Sequence, residues 1–222
     1  MELVAPPAVA VMAKVPGAAP VKSRLHPALT ADRATELYRC FLLDRLDALV
    51  SVVGIAPVVA FTPPEAVDAI AAVVPAGFRC VAQQGDDLGA RLDTLLATLI
   101  ADGHRGAIAI DSDSPTLPMA FVAEAARVLE DAEADVVVGP CDDGGYYLIG
   151  VRAPRPALFA DMPWSTPDVL PLTLARAQGL ATHVLPAWFD VDTEPDLRRL
   201  HDEMQTGGGP RRTLAFVRAL YR

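Results

Sequence analysis

The sequence predicts an α/β fold, a parallel-dominated sheet covered by helices on both faces. Three observations carry that expectation. Short apolar segments alternate along the chain with helical stretches of roughly 10 to 20 residues, the order that lays helices on both faces of a parallel sheet. One apolar run, Ala107 to Ile110, ends abruptly in two aspartates, Asp111 and Asp113, and ligands of such sheets sit outside the carboxyl ends of the strands. The 222 residues are 52% hydrophobic, enough to bury one good core and expected to form a single domain.

The elements follow in order. PAVAVMAK reads as a short buried strand, Ala8 to Ala13, and Thr30 as the N-cap of a helix in TADRATELYRCFLLDRLDALV. APVVAFT is a second strand, PPEAVDAIAAVV a helix, FRCVAQ a third strand, and DDLGARLDTLLATLIADG a helix with Gly103 past its end. GAIAI is the fourth strand. Thr116 reads as the cap of the helix LPMAFVAEAARVLEDA, with Pro118 in its first turn. ADVVVGP and GYYLIGV are strands separated by a loop; STPDVLPLTLARAQG is a helix that stops at Gly179; LATHVLP is a strand. In the helix TEPDLRRLHDEM, Thr193-x-x-Asp196 resembles a capping box. Thr206 to Pro210, TGGGP, reads as a flexible linker before a basic amphipathic helix, RRTLAFVRALYR, expected to cover the sheet.

Composition excludes several classes. The chain carries 19 Lys+Arg against 28 Asp+Glu, a net charge of −9, so generic binding to nucleic acid or an anionic membrane is not expected. Cys40, Cys80 and Cys141 are widely spaced and read as free thiols of a cytoplasmic protein; the four histidines show no ligand spacing. No signal peptide is read at the start, and no apolar run approaches a membrane span. The sequence leaves a homo-oligomer open.

Three acidic clusters follow strands or precede helices: DSDSP, CDDGG with Asp142 and Asp143, and FDVDTEPD with Asp190, Asp192, Glu194 and Asp196. Read as carboxylates alone, without histidine or cysteine ligands, they suit a hard divalent cation, magnesium or manganese, bridging to phosphates. Each cluster also has a purely structural reading as turn or cap, even with the ligand reading for Asp111 and preferred for Asp196. Lys14, Lys22 and Arg24 lie on a loop that Pro16, Gly17 and Pro20 keep from being helical, which makes a phosphate cradle after the first strand. A Rossmann or P-loop fingerprint is missing. A dehalogenase-type aspartyl phosphatase fits poorly, because Asp111-x-Asp113 follows the fourth strand and Pro115 stands where Thr or Val belongs; an EF-hand fails at Thr116.

Six segments in register, MAKVPGAAPVKSRLHPAL, QQGDDLGARL, IDSDSPTLP, GPCDDGGYYLIGV, WSTPDVL and FDVDTEPDL, resemble the bacterial DUF2064 family. The likeness runs from about Val9 to Leu197. It implies the GT-A fold of nucleotide-diphospho-sugar transferases, a three-layer α/β/α sandwich on a mixed, predominantly parallel sheet. It divides 1–222 into a nucleotide-binding half (1–105), a metal and acceptor half (106–205) and a linker with the C-terminal helix (206–222). VKSRLHPALT is also similar to the start of 2-phospholactate guanylyltransferase. The molybdenum-cofactor guanylyltransferases are more distant, since their glycine-rich phosphate loop is missing.

The resemblance implies roles. Asp113 would coordinate the metal, with Asp192 or Asp190 as second ligand, and Asp111 would contact the ribose or the ion. Lys14, Lys22 and Arg24 would bind phosphate, Gln84 would approach the base and Arg91 the phosphates, with the helix from Asp87 aiming its amide end at the crevice. Gly144 and Gly145 would let an acceptor approach the backbone, Asp143 would serve as base, and Trp164 would floor the acceptor pocket or merely pack. The expected activity is metal-dependent transfer from a nucleotide-linked donor, foremost a nucleotide sugar, to a small-molecule acceptor. Nucleotidyl transfer with pyrophosphate release is the alternative, and a non-catalytic nucleotide-binding protein a further one.

Overall fold

The structure, a computed structural model, describes residues 5–207 and 209–222. Among the described residues seven strands form one sheet: β1 (Ala8–Lys14), β2 (Ala56–Thr62), β3 (Arg79–Ala82), β4 (Ala107–Ile110), β5 (Val136–Pro140), β6 (Tyr146–Val151) and β7 (Thr182–Val184). Their order is β3-β2-β1-β4-β6-β5-β7. All neighbours run parallel except β6, which is antiparallel to both β4 and β5. Only Cys141 to Gly145 separate β5 from β6, too short for a crossover, so the chain must return as a hairpin. The sheet is therefore mixed and mostly parallel, as expected.

Helices α1 (Ala31–Leu49), α2 (Val67–Ala71), α3 (Leu88–Ala101), α4 (Met119–Glu130), α5 (Val169–Arg176), α6 (Glu194–Gly207) and α7 (Arg211–Leu220) complete the chain. The two-residue alternation of β1 builds two cores: Val9, Val11 and Ala13 face Leu42, Leu46, Val122 and Leu129 of α1 and α4, while Ala8 and Ala10 face Leu92, Leu96 and Leu99 of α3. A third cluster joins Leu37 and Phe41 of α1 to Leu197, Leu200 and Met204 of α6 and to Phe216 and Val217 of α7.

Two caps hold as read. Thr30 accepts from the Arg33 amide at 3.3 Å, and the Asp196 carboxylate accepts from the Thr193 amide at 2.8 Å. Thr116 does not cap α4. The helix begins at Met119 with Pro118 at the cap position, because a residue before proline is pushed out of the helical region, and Leu117 precedes Pro118. Helix α6 runs through Gly207, so Thr206 and Gly207 are helical rather than linker; Gly208 of that segment lies outside the described residues. Helix α7 covers α1 and α6 rather than the sheet. The buried Asp44 carboxylate of α1 accepts from the amides of Thr213 at 2.8 Å and Arg212 at 3.2 Å, satisfying donors that every helix start leaves open.

Candidate functional site

The carboxyl ends of β1, β2 and β4 open into a cleft of about 380 Å³, walled by Lys14, Lys22, Arg24, Gln83, Arg91, Asp111, Ser112, Asp113 and Asp192 among others. Six residues from five separated segments thus reach one place: Lys14, Arg24, Arg91, Asp111, Asp113 and Asp192. Arg91 is aimed by a hydrogen bond from its Nε to the Gly85 carbonyl at 2.9 Å. Gly85 has φ +135, and a Cβ there would lie 2.7 Å from Ala90, so the turn into α3 requires glycine. Asp87 caps that helix, accepting from the Ala90 amide at 2.8 Å. Leu88 and Arg91 put its first turn on the cleft. A larger hollow, about 820 Å³, lies between α1, the segment Pro115 to Leu117 and the start of α7, and shares no lining residue with the cleft.

Lys22 departs from its expected place on the phosphate wall. Its side chain is 3% exposed, and its ammonium lies 2.7 Å from Asp113 Oδ1 and 2.8 Å from Asp192 Oδ1. Burial opposes its charge, but Asp113 and Asp192 more than offset that and push its pKa above the ordinary lysine range. Burial likewise works against the Asp192 carboxylate, and the Lys22 ammonium prevails, holding it below its usual value. Arg24 reaches the same carboxylate at 3.5 Å. Lys22 itself is left-handed, at φ 51, a costly conformation for a residue with a Cβ. The ammonium therefore takes the position between Asp113 and Asp192 where the sequence suggests a metal.

Behind the aspartates stand groups from α1. The Lys14 amide donates to the Tyr38 hydroxyl at 2.9 Å, which bonds Ser112 Oγ at 2.9 Å, which donates to the Met12 carbonyl at 3.0 Å. Arg45, fully buried, donates to the Ser114 carbonyl and faces Asp111 Oδ1 at 3.9 Å. Ser114 Oγ donates to Asp111 Oδ2 at 2.5 Å. Burial pushes the Asp111 carboxyl up to about 6; Arg45 opposes the shift and Asp113 adds to it.

Beside this lies a second acidic group. One ligand atom each of Cys141, Asp143 and Asp190 lies within 4.8 Å of the others. Asp190 is pushed up to about 7, by burial first and then by Asp192, Asp143 and Asp111. Asp111 Oδ1 is buried with no hydrogen-bond partner among the described residues. Carboxylates crowded together without a matching cation suit a divalent ion. The donor chemistry therefore fits the expected cation, on the side of Asp190 and Asp143 rather than between Asp113 and Asp192.

Three expectations are not met by the geometry, and of the two readings of Trp164 packing is the one seen. Gln84 is exposed and outside the cleft; its neighbour Gln83, just past β3, lines it and ties strand ends together through the Ala60 carbonyl at 2.8 Å. At Gly144, with φ +92, a Cβ would lie 2.5 Å from the Pro167 backbone, so its close approach is to the chain itself. A Cβ on Gly145 would meet Asp143 Oδ1 at 3.2 Å, and the Gly145 amide instead fixes that carboxylate at 2.9 Å. Trp164 packs: it meets Tyr146 edge-on at 6.3 Å and lies against Gly89 of α3. Tyr38, Ser112, Arg45, Gln83 and Cys141 are the site residues the motifs overlooked. Ser112 could have been found from its place inside DSDSP.

A family model described as an uncharacterized protein conserved in bacteria, DUF2064, matches residues 45–166. The chain belongs to the DUF2064 family. A Desulfovibrio desulfuricans G20 protein, provisionally described as a nucleotide-diphospho-sugar transferase, is 30% identical to this DUF2064 protein, with 97% of this chain and 96% of that chain covered at a TM-score of 0.89. CMP:2-keto-3-deoxy-manno-octonic acid synthetase in complex with CTP shares the fold at 15% identity, with 90% and 99% covered and a TM-score of 0.58. A Mycobacterium tuberculosis H37Rv protein, Rv0371C, in complex with manganese shares it at 19% identity, with 89% and 98% covered and a TM-score of 0.52. No curated protein matches the sequence. The fold is thus that of nucleotide-diphospho-sugar transferases.

Proposed function

We propose that this DUF2064 protein is a transferase acting on a nucleotide-linked donor, foremost a nucleotide-diphospho-sugar. The observation that carries the reading is the cleft at the strand ends, which gathers Lys14, Arg24 and Arg91 with Asp111, Asp113 and Asp192. The description of the Desulfovibrio protein points the same way. Lys14, Arg24 and Arg91 bind diphosphate oxygens, and the first turn of α3 offers its amides to the same charge. Lys22 keeps Asp113 and Asp192 in place. Asp111 faces the ribose or the cation. Asp190 and Asp143 would hold magnesium or manganese, which supplies charge neutralisation at the leaving diphosphate; Asp143 thereby moves from general base to ligand.

Nucleotidyl transfer is a second reading with its own support. Lys22 bridges two of the carboxylates and offsets one of their two charges, which leaves three further cations to meet a triphosphate directly. The products separate the two. The protein is supplied with nucleotide sugars or nucleoside triphosphates, manganese, and a panel of hydroxyl and phosphorylated acceptors, and the released phosphate compound is identified. Nucleoside diphosphate supports glycosyl transfer, pyrophosphate supports nucleotidyl transfer, and neither from folded protein counts against a transferase. Arg91→Ala should lower turnover by about a hundredfold, as loss of one preorganised donor to developing charge does.

A further inference from the structure

Cys141 sits at the end of β5, 7% exposed, where its backbone is tied into the loop by the Gly145 carbonyl at 3.0 Å and the Gly144 amide at 3.2 Å. A buried free cysteine ordinarily behaves as a small apolar side chain. This one turns its sulfur to two carboxylates, with one oxygen each of Asp143 and Asp190 and the Sγ all within 4.8 Å of one another. The thiol has no hydrogen-bond partner among the described residues. The three side chains grade from solvent to core: Asp143 exposed, Asp190 half-buried, Cys141 buried. Asp143 is held in place by the Gly145 amide at 2.9 Å, and Asp190 is anchored through its neighbour, since the Val191 amide donates to the Asp113 carbonyl at 3.0 Å.

Two donors on one ion stand at most about 4.4 Å apart, the sum of a metal–sulfur bond near 2.3 Å and a metal–oxygen bond near 2.1 Å. That is the linear limit; at the tetrahedral angle the donors stand about 3.6 Å apart, so a spread of up to 4.8 Å closes by about 1 Å on binding. We propose that Cys141 is a ligand of the divalent cation, so that a mixed sulfur and oxygen site selects borderline ions (cobalt, zinc) over magnesium. The proposal rests on the cation reading of the site above and goes beyond it in naming a sulfur donor. Thiolates prefer such ions, whereas magnesium takes oxygen donors in near-octahedral array. Binding replaces the S–H bond with a sulfur–metal bond, and the proton leaves to solvent. The open side, at Asp143, is left for a substrate oxygen.

Cobalt(II) reports the sulfur directly, because a thiolate bound to it gives an intense near-ultraviolet charge-transfer band that oxygen ligands do not. The purified full chain is titrated with cobalt, following absorbance and bound metal together. The wild-type protein should develop the band in step with binding. Cys141→Ser should lose the band and weaken cobalt binding by at least about tenfold, the least a ligand loss should cost where supporting residues cost 10–100-fold, while its magnesium binding stays unchanged. The variant with Cys40→Ser and Cys80→Ser together should keep the band. Cobalt bound without the band overturns the sulfur ligand and leaves the cation reading standing. No cobalt bound by folded protein overturns both.

Discussion

With one ammonium within 2.8 Å of both Asp113 and Asp192, losing Lys22 would leave two partly buried carboxylates facing each other. Breaking a buried pair costs about 3–5 kcal/mol, but these aspartates are a third exposed, so Lys22→Met should cost about 1–2 kcal/mol. The melting temperature should fall by roughly 4 °C, and manganese should stabilise the variant more than the wild type; an unchanged melting point would show that the bridge does not form. Asp190 and Asp111, pushed up to about 7 and about 6, set a pH dependence. Each keeps a proton in the folded state that the unfolded chain has already released, so stability is lost as pH rises from about 4 through these values. In buffer free of divalent ions the melting temperature should drop between pH 5 and 7.5, and Asp190→Asn should remove much of that slope. A wild-type slope equal to the variant's would contradict the crowding of the carboxylates. At this scale the sequence discloses what motifs carry. Asp111, Asp113, Asp190, Asp192, Lys14, Arg24 and Arg91 all adjoin strand or helix ends, where side chains must face the crevice. Tyr38 and Arg45 lie mid-helix in α1, 74 and 69 residues from the serines they support. Nothing local marks a helical arginine as buried, and so they were not legible.

Helix ends show how one element holds another. Asp44 ties α7 to α1 through the Thr213 and Arg212 amides and through the Arg212 guanidinium at 3.2 Å. Asp44→Ala removes a cap and strands buried amides, a loss of about 2 kcal/mol. Limited proteolysis should then cut at the start of α7 while the wild type resists; equal resistance would mean the apolar contacts of Phe216 and Val217 suffice. At the opposite side of the molecule Gly85→Ala should strain the turn into α3 by about 1–3 kcal/mol and weaken nucleotide binding through Arg91, without disturbing the manganese site. Tight binding in a folded Gly85→Ala protein would show that the turn does not position Arg91. Element boundaries were read to within a few residues where caps are local, as at Thr30 and Thr193. They failed at Thr116 because a proline two residues on outweighs a hydroxyl. The α7 cap lies on another helix, beyond any sequence window.

The whole molecule places its charge by topology. Parallel β1, β2 and β4 bring three loops to one edge of the sheet, and the antiparallel return of β6 sends the Cys141–Gly145 loop to the same edge. This gathering follows from the alternation of elements and from the short β5–β6 connection, so the fold and the location of the cleft were legible. How the charges divide was not: Lys22 was read as facing phosphate and stands among the carboxylates, because the left-handed turn that delivers it leaves no mark in the sequence. The central claim is that this edge binds the phosphates of a nucleotide. A thermal-shift panel of the nucleoside diphosphates and triphosphates of U, G, C, A and T, each with and without manganese, tests it most directly. A ligand at a hundred times its Kd adds about 2.7 kcal/mol, visible as a shift of roughly 5–10 °C. A manganese-dependent shift with the diphosphate of one base, reduced in Lys14→Ala and Arg91→Ala proteins, is the predicted result. No shift with any nucleotide at saturating concentration would contradict the claim.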